Sequence, residues 1–156
     1  MTVAENIALI PEMKKMDKKI ITETTNRLLN EVGMDPKVYR NRLPKDLSGG
    51  EKQRIGILRA IAANPDVLLM DEPFSALDPI SRTQLQELIT EIHNDYKITT
   101  VFVTHDMNEA IKLADRICIM KDGKVVQIGS PADIINRPAN SFVSQFFENE
   151  SELIHE

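Results

Sequence analysis

Apolar positions in the first third of the chain repeat with a helical period: Ile21, Leu28, Leu29 and Val32 share one face, and Gly33 stands where a C-terminal cap is expected. A loop carrying Pro36 and Pro44 follows. Residues 49–63 place Ile55, Leu58, Ile61 and Ala62 on one face, which predicts a second helix with Ser48 near its amino end. After Asn64-Pro65 the pattern changes to short β-type runs alternating with helical ones, the signal for strand-helix-strand units and a parallel sheet. Residues 67–70 are so short and so uniformly apolar that a central strand buried on both faces is expected.

Further on, Leu85, Leu88, Ile89, Ile92 and Tyr96 predict a helix over 81–96, and the β-branched run 99–104 predicts a strand ending at His105. Met107, Ala110, Ile111 and Ala114 make a short amphipathic helix. Residues 116–120 and 125–128 flank Lys121-Asp122-Gly123-Lys124, and Asp-Gly between apolar runs predicts a hairpin. Two closing helices are expected over 133–136 and 142–147, then an acidic tail. The fold class is therefore α/β, with a helical part over 1–64, a parallel-sheet core with helices over 65–148 and a tail over 149–156.

Composition narrows the function classes. With 42% hydrophobic and 28% charged residues, 156 residues suffice for one domain with a core. A net charge of −5 argues against nucleic acid as a partner, because binding along a duplex needs a concentrated basic face. Lys14, Lys15, Lys18 and Lys19 are interrupted by Asp17 and follow Glu12, which makes a solvated helix end of them rather than a lipid-binding patch. Cys118, the only cysteine, lies in an apolar run and is expected to be a small buried hydrophobe. No apolar stretch approaches the ~18 residues that span a bilayer, and Glu5 sits where a signal peptide carries positive charge. A cytoplasmic chain is expected, free to dock on the inner face of a membrane protein.

Three segments carry chemistry. Ser48-Gly49-Gly50-Glu51 opens a helix with a hydroxyl and two residues lacking side chains, so backbone N–H groups and the helix dipole are presented to an anion. Asp71-Glu72 follows an apolar strand, at the C-terminal edge where α/β sheets hold ligands. An aspartate there can hold Mg²⁺, directly or through water, and the next carboxylate can polarise a water. Ser75-Ala76-Leu77-Asp78 places Asp78 to cap the following helix, and His105 closes a β-branched strand in Thr104-His105-Asp106.

Taken whole, Leu47-Ser48-Gly49-Gly50-Glu51-Lys52-Gln53-Arg54 resembles the signature sequence of ATP-binding-cassette (ABC) proteins. The resemblance extends over residues 1 to about 148 through four motifs in order. It implies an ABC ATPase fold using ATP and Mg²⁺. Asp71 matches the magnesium-associated acid, Glu72 the catalytic glutamate, residues 75–78 the D-loop and His105 the switch histidine. Residues 48–51 would act in trans, on nucleotide held by a second ATPase subunit in a head-to-tail dimer. Transmembrane permease subunits are the other implied partners. Residues 1–7, 73–82 and 102–107 look most like importers of quaternary-amine osmoprotectants such as glycine betaine, carnitine or choline. Polar amino-acid importers are similar in these motifs.

The family's adenine-stacking aromatic, phosphate-binding loop and glutamine loop are not identifiable. None of the six glycines, Gly33, Gly49, Gly50, Gly56, Gly123 and Gly129, opens a G-x-x-x-x-G-K-[ST] loop. The expectation is a chain lacking the amino-terminal part of the ATPase core, inactive alone, marginally stable, and left with unpaired strand edges and an exposed apolar face. A non-catalytic protein that pairs with an intact ABC ATPase is the alternative. A stand-alone ATPase or a DNA-repair cassette protein fits less well.

Overall fold

The computed structural model describes residues 1–151, so 152–156 of the expected acidic tail, including His155, lie outside the described residues. The chain forms two compact units, Met1–Val103 and Thr104–Glu156.

Two helices occupy the start of the first unit, α1 (Val3–Met13) and α2 (Lys18–Glu31). Thr2 and Glu5 cap α1 reciprocally, and the Asp17 carboxylate caps α2. Helix α2 ends as the glycine predicts: Gly33 has φ +71, its N–H reaches the Asn30 carbonyl, and the Met34 N–H reaches that of Leu29. This double closure requires a left-handed residue at Gly33. A one-turn helix, α3 (Pro36–Tyr39), leads through a 3₁₀ turn to α4 (Gly49–Ile61). Helix α1 packs on both α2 and α4, with Val3, Ile7, Leu28, Leu29, Ile55 and Leu58 buried.

Strand β1 (Val67–Asp71) pairs in parallel with β2 (Thr99–Val103), and α5 (Pro79–Tyr96) connects them. The α5 stripe expected from the sequence is buried at Leu85, Leu88, Ile89 and Ile92. Tyr96 is instead half-buried, and its hydroxyl donates to Glu31 at 2.7 Å while receiving Arg27 at 2.5 Å, which ties the end of α5 to the end of α2.

One expectation fails in this sheet. Strand β1 is not buried on both faces. Leu68 points inward, but Val67 and Leu69 are exposed, Leu69 by 74%. The parallel register sets Leu69 beside Val101 and Asp71 beside Val103, so one face of the two-stranded sheet is an uncovered apolar strip of Val67, Leu69, Val101 and Val103. Parallel strands are ordinarily covered on both faces, and the uniform hydrophobicity of 67–70 reflects that requirement. The exposed face anticipated from the sequence is thus present. We expect the isolated chain to self-associate through it. Leu69→Lys should shift the weight-average mass measured by light scattering toward the monomer, without loss of helical circular dichroism.

In the second unit α6 (Met107–Leu113) precedes a hairpin of β3 (Ile117–Lys121) and β4 (Lys124–Gly129), followed by α7 (Pro131–Asn136) and α8 (Ser141–Ser151). Asp122 and Gly123 both have positive φ, as a tight two-residue hairpin loop demands. Ile117, Ile119, Ile134 and Val143 form the core, with Met107, Ala110, Ile111 and Ala114 packed against it. Cys118 departs from expectation: it is exposed. Strand alternation is the cause, since burying Ile117 and Ile119 turns Cys118 and its cross-strand partner Ile128 to the opposite face.

The described residues form a mixed α/β structure with two separate two-stranded sheets, one parallel and one antiparallel. No helix among the described residues is long and apolar enough to cross a membrane.

Candidate functional site

The amino end of α4 is built around Ser48. Its hydroxyl accepts the Glu51 N–H at 3.2 Å, and the Glu51 carboxylate accepts the Ser48 N–H at 2.7 Å, a complete capping box. Gly49 and Gly50 occupy the first two helical positions, whose N–H groups have no partner within a helix. Two aligned donors at the positive end of a 13-residue helix can receive one phosphate oxygen or two.

The two glycines are glycines for different reasons. A Cβ on Gly50 would lie 3.1 Å from Ser81 Oγ and 3.3 Å from Ser81 Cβ, so a side chain there would press on α5 and require Ser81 to give by a few tenths of an ångström. A Cβ on Gly49 would meet nothing within 4 Å, and its backbone is ordinary. Internal packing therefore makes no demand for glycine at 49.

Ser81 lies in the first turn of α5, whose cap is Asp78. The Asp78 carboxylate accepts the N–H groups of Ile80 at 3.1 Å and Ser81 at 3.0 Å. These contacts, the Ser81 side chain first and its N–H next, hold the Asp78 carboxyl below the usual range. The Gly50–Ser81 approach, together with a hydrogen bond from the Arg54 guanidinium to the Gln84 carboxamide, brings residues 48–51 and the 75–78 loop into one neighbourhood. Within that loop, Ser75 donates its N–H and its hydroxyl to the Glu72 carbonyl at 3.3 and 3.0 Å.

Asp71 ends β1 and is exposed. Glu72 extends the ladder by one bond, its N–H donating to the Val103 carbonyl at 2.9 Å, and then turns the chain with φ +43. A left-handed non-glycine residue costs about 1–2 kcal/mol, and such strain concentrates at sites where a side chain must be aimed. Among the described residues no group of three or more His, Cys, Asp or Glu could form a protein cage for a metal. One exposed carboxylate at a strand end is nonetheless the donor set that suits Mg²⁺ carried on a nucleotide, because that ion keeps most of its waters and phosphate ligands.

His105 belongs to the second unit and is exposed. Its neighbours fix the turn it stands on: the Thr104 hydroxyl donates to the Glu109 carboxylate at 2.5 Å and accepts the Asp106 N–H at 3.0 Å, while Asp106 caps α6. Glu109, only 6% exposed, was not apparent in the sequence as anything but a polar helix position. Tyr39 and Arg42 were missed altogether. The Tyr39 hydroxyl donates to Glu51 at 2.7 Å, and Arg42 lies 4.4 Å over the Tyr39 ring. No local sequence signal marks a tyrosine 12 residues before its partner.

The ABC transporter family profile matches residues 1–75, a span that includes residues 48–51, Asp71 and Glu72. Over that span the chain is similar to the ABC transporter family. The glycine betaine/carnitine/choline transport ATP-binding protein OpuCA of Bacillus subtilis is 51% identical over 150 residues, 96% of this chain and 39% of that protein. The glycine betaine uptake system ATP-binding protein YehX of Escherichia coli is 47% identical over 146 residues, 94% of this chain and 47% of that protein. A sulfate/thiosulfate import ATP-binding protein, CysA of Nocardia farcinica, is 43% identical over 153 residues, covering 98% of this chain and 46% of its own length. The chain spans less than half the length of these curated relatives.

Proposed function

We propose that this chain serves the ATP-binding subunit of an ABC importer for quaternary-amine osmoprotectants, and that its residues 48–51 close on ATP held by a second subunit. The observation that carries this reading is Gly49, a glycine that neither packing nor backbone conformation requires, placed at the donor end of a capped helix. Close approach of a phosphate is a reason for a bare backbone there. Names of the betaine, carnitine and choline relatives support the solute class, and the 43% identity to a sulfate importer sets a limit on how much these motifs say about it.

In this reading Asp71 attends Mg²⁺, Glu72 polarises the attacking water and His105 approaches the γ-phosphate. Residues 75–78 transmit between paired subunits, residues 1–64 act as a helical subdomain facing the permease, and 65–148 belong to the ATPase core. The protein would lie on the cytoplasmic side of the membrane through that permease. Bound MgATP supplies the phosphoryl group and the local positive charge. The chain's own part is to orient a water and to donate N–H groups.

A second reading is compatible with the same observation, the capped turn at residues 48–51. A non-catalytic partner of an intact ATPase would look the same.

Association with an intact ABC ATP-binding subunit, followed by fluorescence anisotropy, tests the trans role. MgATP should strengthen binding. Gly49→Asp should weaken the ATP-dependent part at least tenfold, about 1.4 kcal/mol, with the thermal midpoint of the free chain unchanged or raised, since an acid in the first turn suits a helix. ATP-independent binding of equal strength by both forms would overturn the phosphate role and leave the non-catalytic partner.

A further inference from the structure

Two glycines in the first turn make α4 difficult to start. A glycine backbone loses more freedom on ordering than that of any other residue. A turn that frays cannot hold two N–H donors in line. The capping box between Ser48 and Glu51 offsets part of this cost, but only while the Glu51 side chain stays folded back on its own helix end.

Something outside the helix keeps it there. One Glu51 oxygen accepts the Ser48 N–H at 2.7 Å, and the other accepts the Tyr39 hydroxyl, also at 2.7 Å. Tyr39 is itself held from two sides. The Arg42 guanidinium lies 4.4 Å over its ring, and the Arg42 N–H donates to the Tyr39 carbonyl at 2.9 Å. The same turn is anchored to α1, because the Val3 N–H donates to the Arg42 carbonyl and the Ala4 N–H to that of Arg40, each at 2.9 Å.

We propose that Tyr39, braced by Arg42, is a positioning residue for the phosphate-binding turn at 48–51. It fixes the Glu51 carboxylate in the capping box, so that the Gly49 and Gly50 N–H groups are ordered before a nucleotide arrives and the Glu51 charge is engaged with donors of its own chain. The inference rests on the trans role proposed above for residues 48–51.

Charge supports the geometry. The Ser48 N–H first and the Tyr39 hydroxyl second hold the Glu51 carboxyl below its usual range, with Arg42 adding a smaller favourable contribution, and Glu51 in turn raises the Tyr39 phenol. The Arg42 cation lies over the phenol, the phenol donates to the Glu51 carboxylate, and that carboxylate also accepts the Ser48 N–H at the helix cap. An unheld carboxylate beside the two glycines would instead repel an incoming phosphate.

Tyr39→Phe removes one hydroxyl and keeps the ring that Arg42 covers. In the association assay above, this variant should bind the MgATP-loaded subunit 5- to 10-fold more weakly, with the ATP-independent part unchanged. In a Glu51→Ala background the same replacement should change nothing further. Two readouts on the free chain are independent of any partner: the Glu51 carboxyl, followed by ¹³C NMR, should titrate at higher pH in Tyr39→Phe, and amide exchange at Gly50 and Glu51 should quicken. Wild-type affinity in Tyr39→Phe, or an unmoved Glu51 titration, would overturn the inference and leave the site standing. If the wild-type chain shows no ATP-dependent binding, the site itself is overturned, and the positioning role with it.

Discussion

Made by itself and presented with MgATP, the 156-residue chain is expected to release phosphate no faster than a buffer control. The family's chemistry depends on a ring of backbone donors and a lysine around the β- and γ-phosphates, and the sequence contains no G-x-x-x-x-G-K-[ST] loop. Removing one preorganised donor from a charge-stabilising site costs on the order of 10²–10³ in rate, so absence of the whole cradle should exceed on the order of 10³. In the proposed role Glu72 would aim its carboxylate at a water, but without that loop the 156 residues would not hold a phosphorus atom in line with it. A coupled phosphate-release assay checks this, and a fluorescent ATP analogue should likewise fail to saturate. Turnover abolished by Glu72→Gln would show instead that the chain builds a phosphate cradle of another kind, and the trans-acting role would then be unnecessary.

Phe74→Ala is expected to produce the largest loss of stability of any single truncation in the first unit. Phe74 has no exposed surface, and its ring meets that of Phe102 edge to face, with centroids 6.1 Å apart and planes at 79°. Truncating a fully buried phenylalanine costs about 3–5 kcal/mol through lost transfer energy and the cavity left behind. That is a large share of the 5–15 kcal/mol that holds an ordinary domain, in a unit whose sheet already exposes one face. Phe74 also stands two residues after Glu72 and one before Ser75, so its ring pins the turn joining the candidate catalytic acid to residues 75–78. Urea unfolding followed by circular dichroism should show either a sharply lower midpoint or a chain unfolded in buffer. A midpoint within experimental error of wild type would mean that the turn is not anchored by this ring.

The candidate site was legible where its chemistry is local. Ser48 three residues before Glu51 is a capping-box spacing, and both side-chain bonds form as that spacing demands. Asp78 before Pro79 marks a helix start, and Asp122-Gly123 marks a hairpin, since each depends on residues within four positions of one another. The exposed apolar strip on the β1–β2 sheet agrees with the exposed apolar face expected from the sequence. The burial of β1 on both faces, taken from the same residues, was wrong for this chain. A run of apolar residues reports what environment a strand needs, and it cannot report whether the covering layer is present.

The sequence by itself determined helices α4 and α5 with their caps at Ser48 and Asp78, the stop at Gly33, the hairpin and the resemblance to the ABC transporter family, because each is written in short-range periodicity or in motifs of contiguous residues. The division of the first 40 residues into α1, α2 and α3 was not read from it. Only the tertiary structure decided which side chains hold those motifs in shape. Ser81 fills the space before Gly50, Tyr39 reaches Glu51 across 12 residues, Phe102 meets Phe74, and Cys118 faces outward because Ile117 and Ile119 face in. These contacts arise from chain crossings and strand register, which join residues far apart in sequence, and no local spacing rule encodes them.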